Sequence, residues 1–238
     1  MKATLTFLTI IFGLVLITKG QTEITPYPKI NGGGGGFTIG LGAMDIATMH
    51  VFVPQDVSSF SKQHLLLGGS GYGIVNSFVL GGTGTGILSE NITTDSLKIQ
   101  LGGGYGTFDF GYLIINRDKL RLFPTLGIGG GGYSVSIAKN KNISANAIAS
   151  DPGREVNINN GGFIFDAAIN LNIIPFLELD EKNNSYGGLM LGTKIGYVYG
   201  LPTTNWSFAG GDITNGPDFG IKMFYVKLFI GGFGFDKH

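Results

Sequence analysis

The chain has 238 residues, 42 of them glycine; 43% are hydrophobic and only 13% charged. That balance excludes charge-driven disorder, and glycines that cluster without a three-residue period, beside only 8 prolines, exclude collagen. Sixteen basic and sixteen acidic residues cancel, so nucleic acid is not an expected partner, and a chain without cysteine has no disulfide scaffold, thiol catalysis or cysteine-held zinc.

Residues 1–20 read as a secretory signal peptide: Lys2 is the positive start, Leu5 to Ile17 is apolar, and Thr18 and Gly20 suit cleavage before Gln21. The apolar stretch falls short of the roughly 20 residues that a spanning helix needs. Residues 21–32 are expected to be a flexible lead-in, with the run Gly32–Gly36 easing into the first strand, and 33–238 a single β domain. The remaining chain alternates with period two and is punctuated by glycine. It predicts eight strands at about 33–44, 64–75, 78–88, 97–115, 119–138, 161–174, 186–200 and 219–235. In 161–174, Phe163, Phe165, Ala167, Ile169, Leu171 and Ile173 share one face, and Asp166, Ala168, Asn170 and Asn172 the other.

The connections alternate in length. Asn76-Ser77 and Asn116-Arg117-Asp118 are tight turns, and 175–185 is short; 45–63, 89–96, 139–160 and 201–218 are mostly longer and polar. An even strand number with short turns at one end and long loops at the other predicts an all-β, antiparallel up-and-down barrel of about eight strands that spans a membrane. The alternative is a soluble flattened barrel or sandwich, with the glycines at its bends.

Pairing arithmetic refines this reading, because an antiparallel hairpin fixes the sum of paired residue numbers. A turn centred on Arg117 sets Phe108 opposite Leu126 and puts Asp109 and Arg121 on the opposite face from the apolar residues. Symmetric closure of 175–185 sets Asp166 opposite Lys194, which predicts an interior ion pair, since a Lys facing lipid near the midplane would cost ~2–4 kcal/mol. The apolar parity reverses within two strands. Leu97, Ile99 and Leu101 are odd while Phe108, Phe110 and Tyr112 are even; Leu120, Leu122, Leu126 and Ile128 give way to Tyr133, Val135 and Ile137. This pattern suits an outer half with an apolar inside that extends beyond the membrane. Aromatics near strand ends (Phe78, Phe123, Tyr186, Tyr199, Phe233, Phe235) suggest interfacial girdles.

Motifs for chemistry are sparse. LGGSGYGI at 67–74 and LGGTGTGI at 80–87 echo one another, but no helix pattern or Lys-Ser/Thr follows, so they read as two arms of one hairpin rather than a phosphate loop. His50, His64 and His238 are isolated, Ser70 lacks the glycine elbow of a serine hydrolase, and no cofactor or metal is expected. Asn91-Ile-Thr, Asn142-Ile-Ser, Asn183-Asn-Ser and Asn205-Trp-Ser match the glycosylation sequon and fall in expected loops.

With its strand count, loop alternation and terminal IGGFGF, in which Phe233 and Phe235 alternate, the chain resembles small eight-stranded bacterial outer-membrane barrels of the OmpA/OmpX type. The glycine of that terminal signal is displaced by one position, and Asp236-Lys237-His238 follow it. The resemblance implies outer-membrane lipid as partner and no transferable functional residues. The expected function is non-enzymatic: envelope structure, adhesion or surface binding, with a protein or glycan ligand at loops 45–63, 139–160 and 201–218. The alternatives are a periplasmic or secreted soluble barrel that binds a ligand, and a barrel enzyme acting on lipid through His50 or His64 with Ser70.

Overall fold

The computed structural model describes residues 31–44, 52, 61–117, 119–141, 144, 155–176, 178–180, 185–203, 205–209 and 211–236. The expected signal peptide, most of the lead-in, most of 45–60 and 145–154, His50 and His238 lie outside them. Among the described residues twelve strands follow in chain order: β1 Gly32–Met44, β2 Gln63–Val75, β3 Phe78–Thr93, β4 Leu97–Tyr112, β5 Ile115–Arg117, β6 Leu120–Lys139, β7 Glu155–Ile173, β8 Glu178–Asp180, β9 Ser185–Gly200, β10 Trp206–Phe208, β11 Gly211–Ile213 and β12 Lys222–Asp236. The eight long strands pair antiparallel in the ring β1-β2-β3-β4-β6-β7-β9-β12, and β12 returns to β1 through Gly32↔Phe235 to Met44↔Met223. The ring is closed, so the sandwich alternative is not what the chain forms. The run Gly32–Gly36 is no lead-in: all five glycines pair with β2 on one side and β12 on the other.

Turn chemistry sets the register. Asn76 and Ser77 have φ of 50° and 76°, the left-handed values of the two-residue turn that matches strand twist. The second turn falls one residue later than the sequence suggests, because Arg117 pairs with Leu120 and Leu113-Ile114 separates β4 from β5. Phe108 therefore faces Ile128 instead of Leu126. Along β4 and β6 the slip is even, so their side chains keep their faces, whereas after Leu113-Ile114 the β5–β6 pairing is shifted by one residue more and Asn116 turns inward. Between β7 and β9 the slip is four: Asp166 pairs with Val198 and Lys194 with Asn170, because the connection folds β8 back onto β9 instead of closing symmetrically.

Faces follow from parity. Odd positions point inward along all of β4 and β6, even positions along β7 and β9. What reverses near Gly102–Gly106 and Gly127–Gly132 is the chemistry, not the backbone. Toward the turn end the outward side chains are apolar, as Phe108, Phe110, Leu126, Phe163, Ile195 and Leu228 illustrate. Toward the loop end Ile99, Leu101, Val135 and Ile158 turn inward, while Lys98, Gln100, Asn157 and Asn159 face out. There β3, β4, β6 and β7 outrun their neighbours, and β10 and β11 join on the β7 side.

The interior has three layers. At the turn end Ile74, Val79, Phe123, Met190, Phe229, Phe233 and Phe235 pack together. At the loop end Met44, Leu66, Leu101, Tyr133, Val198, Trp206 and Phe219 do the same, with Phe52 edge-on to Trp206 at 4.7 Å. Between them lies a polar layer. Phe123, Phe233 and Phe235 are thus interior residues, not girdle residues; Phe78 and Tyr199 do face out.

Candidate functional site

The polar layer is built by inward positions whose outward neighbours are apolar. Lys194 precedes Ile195 on β9, and Asp166 alternates with Phe165 and Ala167 on β7, Asp109 with Phe108 and Phe110 on β4, and Lys227 with Val226 and Leu228 on β12. Alternation alone carries these four charges into the barrel. The structure brings Asp166 and Lys194 together: Lys194 Nζ lies 3.0 Å from Asp166 Oδ2 and 3.3 Å from Asp109 Oδ2. Although the two are four residues out of direct register, only Ala168 and Gly196 occupy the intervening inward positions, and the long lysine reaches across them.

Each carboxylate has further donors. The Thr83 hydroxyl donates to Asp109 Oδ2 at 2.6 Å, and the Thr107 hydroxyl to Asp109 Oδ1 at 2.7 Å. The Tyr225 hydroxyl donates to Asp166 at 2.8 and 2.9 Å. A buried ion pair needs such neighbours, because its mutual attraction offsets desolvation only when the remaining lone pairs are satisfied. Glycine supplies the room: a Cβ on Gly127 would collide with an Asp109 carboxylate oxygen and lie 3.2 Å from the Asp166 Cβ, and one on Gly40 would lie 2.8 Å from the Lys227 Cγ.

Lys227 completes the layer and was not singled out by sequence reasoning, although its alternation with Phe224, Val226, Leu228 and Ile230 was a readable signal. It is fully buried, donates to the Thr85 hydroxyl at 2.7 Å and the Tyr105 hydroxyl at 2.9 Å, and lies 4.4 Å from the centre of the Tyr225 ring. Hydroxyls and ring faces here stand in for a carboxylate. Arg121 sits nearer the turn end with its guanidinium 3.6 Å from the centre of the Phe235 ring, so the last strand is clasped to the β5–β6 hairpin.

Space is scarce. Beside Lys194, Asp109, Thr83 and Asn170 is a cavity of about 20 Å³, room for roughly one water molecule. An eight-stranded barrel has an interior that side chains just fill. The arrangement can hold charge rigidly, and apolar layers seal it at both ends.

The other sequence candidates do not converge. His64 is buried on the inward face of β2 with Nε2 unpartnered, and Ser70 lies six residues along the same strand, roughly 20 Å away. At the loop rim both carboxylate oxygens of Glu90 accept the Ser61 N–H, at 2.9 and 3.0 Å, which fixes the entry to β2. Asn91, expected in a loop, lies in β3.

No protein-family model and no curated protein sequence matches the chain. Among solved structures it is similar to Ail, the attachment invasion locus protein of Yersinia pestis, with TM-score 0.43 and 8% identity over 87% of this chain and 99% of that one. Ail in complex with the heparin analogue sucrose octasulfate gives TM-score 0.42 and 13% identity over 84% and 98%. The outer membrane protease OmpT from Escherichia coli gives TM-score 0.32 and 9% identity over 91% and 99%. The closed ring itself is established by this chain's own strand pairings.

Proposed function

We propose that this chain is exported by a signal peptide over residues 1–20 and seated in the bacterial outer membrane. There it acts without catalysis, in envelope structure, adhesion or surface binding, through the loop end carrying 45–63, 139–160 and 201–218. The observation that carries this reading is the outer wall. Across 37–43, 65–75, 78–88, 104–114, 122–132, 161–173, 189–199 and 224–234, no described residue that faces outward is charged. Phe37 is 81% exposed, and Leu126 and Phe163 are each 68% exposed. The charged side chains within these stretches, Asp109, Asp166, Lys194 and Lys227, point into the barrel. Water is a poor solvent for such a wall, since soluble monomers rarely expose apolar patches beyond a few hundred Å². Hydrocarbon is a good one, and a closed barrel satisfies its backbone without water.

The sealed interior supports a role at the surface over one in solute passage. Detergent-solubilised protein should migrate faster on mild electrophoresis unheated than boiled, and cell membranes should release it only to detergent. Release by osmotic shock would favour the soluble periplasmic alternative. In planar bilayers the folded protein should give no steady conductance; stable channels would overturn the sealed lumen.

A further inference from the structure

Beyond the apolar wall, the outward face of the extended strands carries two rows with uncharged polar side chains. Strand pairing aligns Asn91, Gln100, Ser136 and Asn157 in one row across β3, β4, β6 and β7. The next row toward the membrane carries Ser134, Asn159 and Ser207 across β6, β7 and β10. At a cross-strand spacing of about 4.8 Å the first row extends for about 15 Å. The four amides are exposed, while Ser134 and Ser136 are half-buried. The ionic groups Lys98 and Glu155 stand in the row farthest from the membrane, where Glu155 accepts from the Ser136 hydroxyl at 2.6 Å and from the Asn157 amide at 3.3 Å.

Solvation alone does not account for these residues. Asparagine is depleted in strands, and threonine would solvate the same face while favouring it. Three asparagines at strand positions break a local rule, and such breaks concentrate where a site is being built. Neutral donor–acceptor groups in register are suited to polyhydroxylated ligands, and the Glu155 carboxylate held by Ser136 and Asn157 disfavours an anionic one.

Position selects the source. On β3 and β7, Leu88 and Phe163 are the last large apolar side chains that face out from the wall, and Asn91 and Asn159 follow them by three and four residues, about 10 and 13 Å of strand. The rows continue the lipid-facing wall into the headgroup layer. We propose that they bind the sugar headgroup of a glycolipid in the outer leaflet, through amide and hydroxyl hydrogen bonds. This rests on the membrane reading above.

The test uses the full chain refolded into phosphatidylcholine nanodiscs containing a minor fraction of digalactosyl diacylglycerol, with retained lipids counted by native mass spectrometry. The wild type should retain the galactolipid with about tenfold preference. Gln100→Ala/Asn157→Ala/Asn159→Ala should abolish that preference while heat-modifiable migration is unchanged. The near-isosteric Asn157→Asp/Asn159→Asp variant, which keeps the shape and loses the amide donors, should do the same. Added salt should leave the wild-type preference intact. Equal retention by the variants, loss of preference in salt, or equally tight binding of free digalactose in detergent would each overturn the proposal. A chain that does not float with lipid at all overturns the membrane reading first, and flotation tells the two failures apart.

Discussion

Lys194 touches two carboxylates from two different strands and so links Asp109 to Asp166 within the ion layer. Replacing it by methionine leaves Asp109 and Asp166 buried together without their shared partner, and removing one member of a buried pair costs ~3–5 kcal/mol. Lys194→Met should lower unfolding stability in urea by about that much. Asp166→Asn should cost less, because Lys194 keeps Asp109 and the substituted amide oxygen can still accept from the Tyr225 hydroxyl. The opposite order would show that the layer is not organised around Lys194. Glycine gives a second contrast. Gly127→Ala pushes a methyl into the Asp109 carboxylate and should cost ~1–3 kcal/mol, whereas Gly84→Ala, whose Cβ would meet nothing within 4 Å, should change stability by less than ~1 kcal/mol. Both are read from the urea midpoint of the refolded protein.

At the scale of elements, the Asn76-Ser77 turn carries a serine where glycine is favoured, at φ 76°. Ser77→Gly should stabilise the β2–β3 hairpin by ~0.4–1 kcal/mol, seen as a higher urea midpoint, and Ser77→Val should destabilise it. The eight long strands were legible because each alternates apolar and polar residues, and alternation is a local property of sequence. Register was not legible. Whether a connection closes symmetrically depends on contacts made at a distance: β8 folds onto β9, and Leu113-Ile114 interrupts the pairing with β6. Both slips are even, which is why Asp109, Asp166, Arg121 and Lys194 still face inward. Lys227 was legible by the same alternation, but its partners Thr85 and Tyr105 lie 142 and 122 residues away and no local pattern points to them. The inward placement of Phe233 and Phe235 was not legible from their closeness to a strand end, which says nothing about which face a residue takes; both share the inward parity of Lys227 on β12, and Phe235 there meets Arg121.

For the whole molecule, one inward parity serves two surroundings. Over the middle of the apolar wall the inside is ionic, and where the outside is polar the inside is Ile99, Leu101, Val135 and Trp206. The exchange is expected where the medium outside changes from hydrocarbon to water, since each side chain follows its own solvent. The chain has no cysteine, so single labels can be placed without background. Spin labels introduced one at a time at 222–230, in the protein refolded into phosphatidylcholine vesicles, should report oxygen accessibility with period two. The peaks should fall at Phe224, Val226, Leu228 and Ile230 and the minima at Met223, Tyr225, Lys227 and Phe229. Accessibility to an aqueous nickel reagent at the even positions, in place of oxygen, would mean that water bathes this wall, and the membrane account would be wrong.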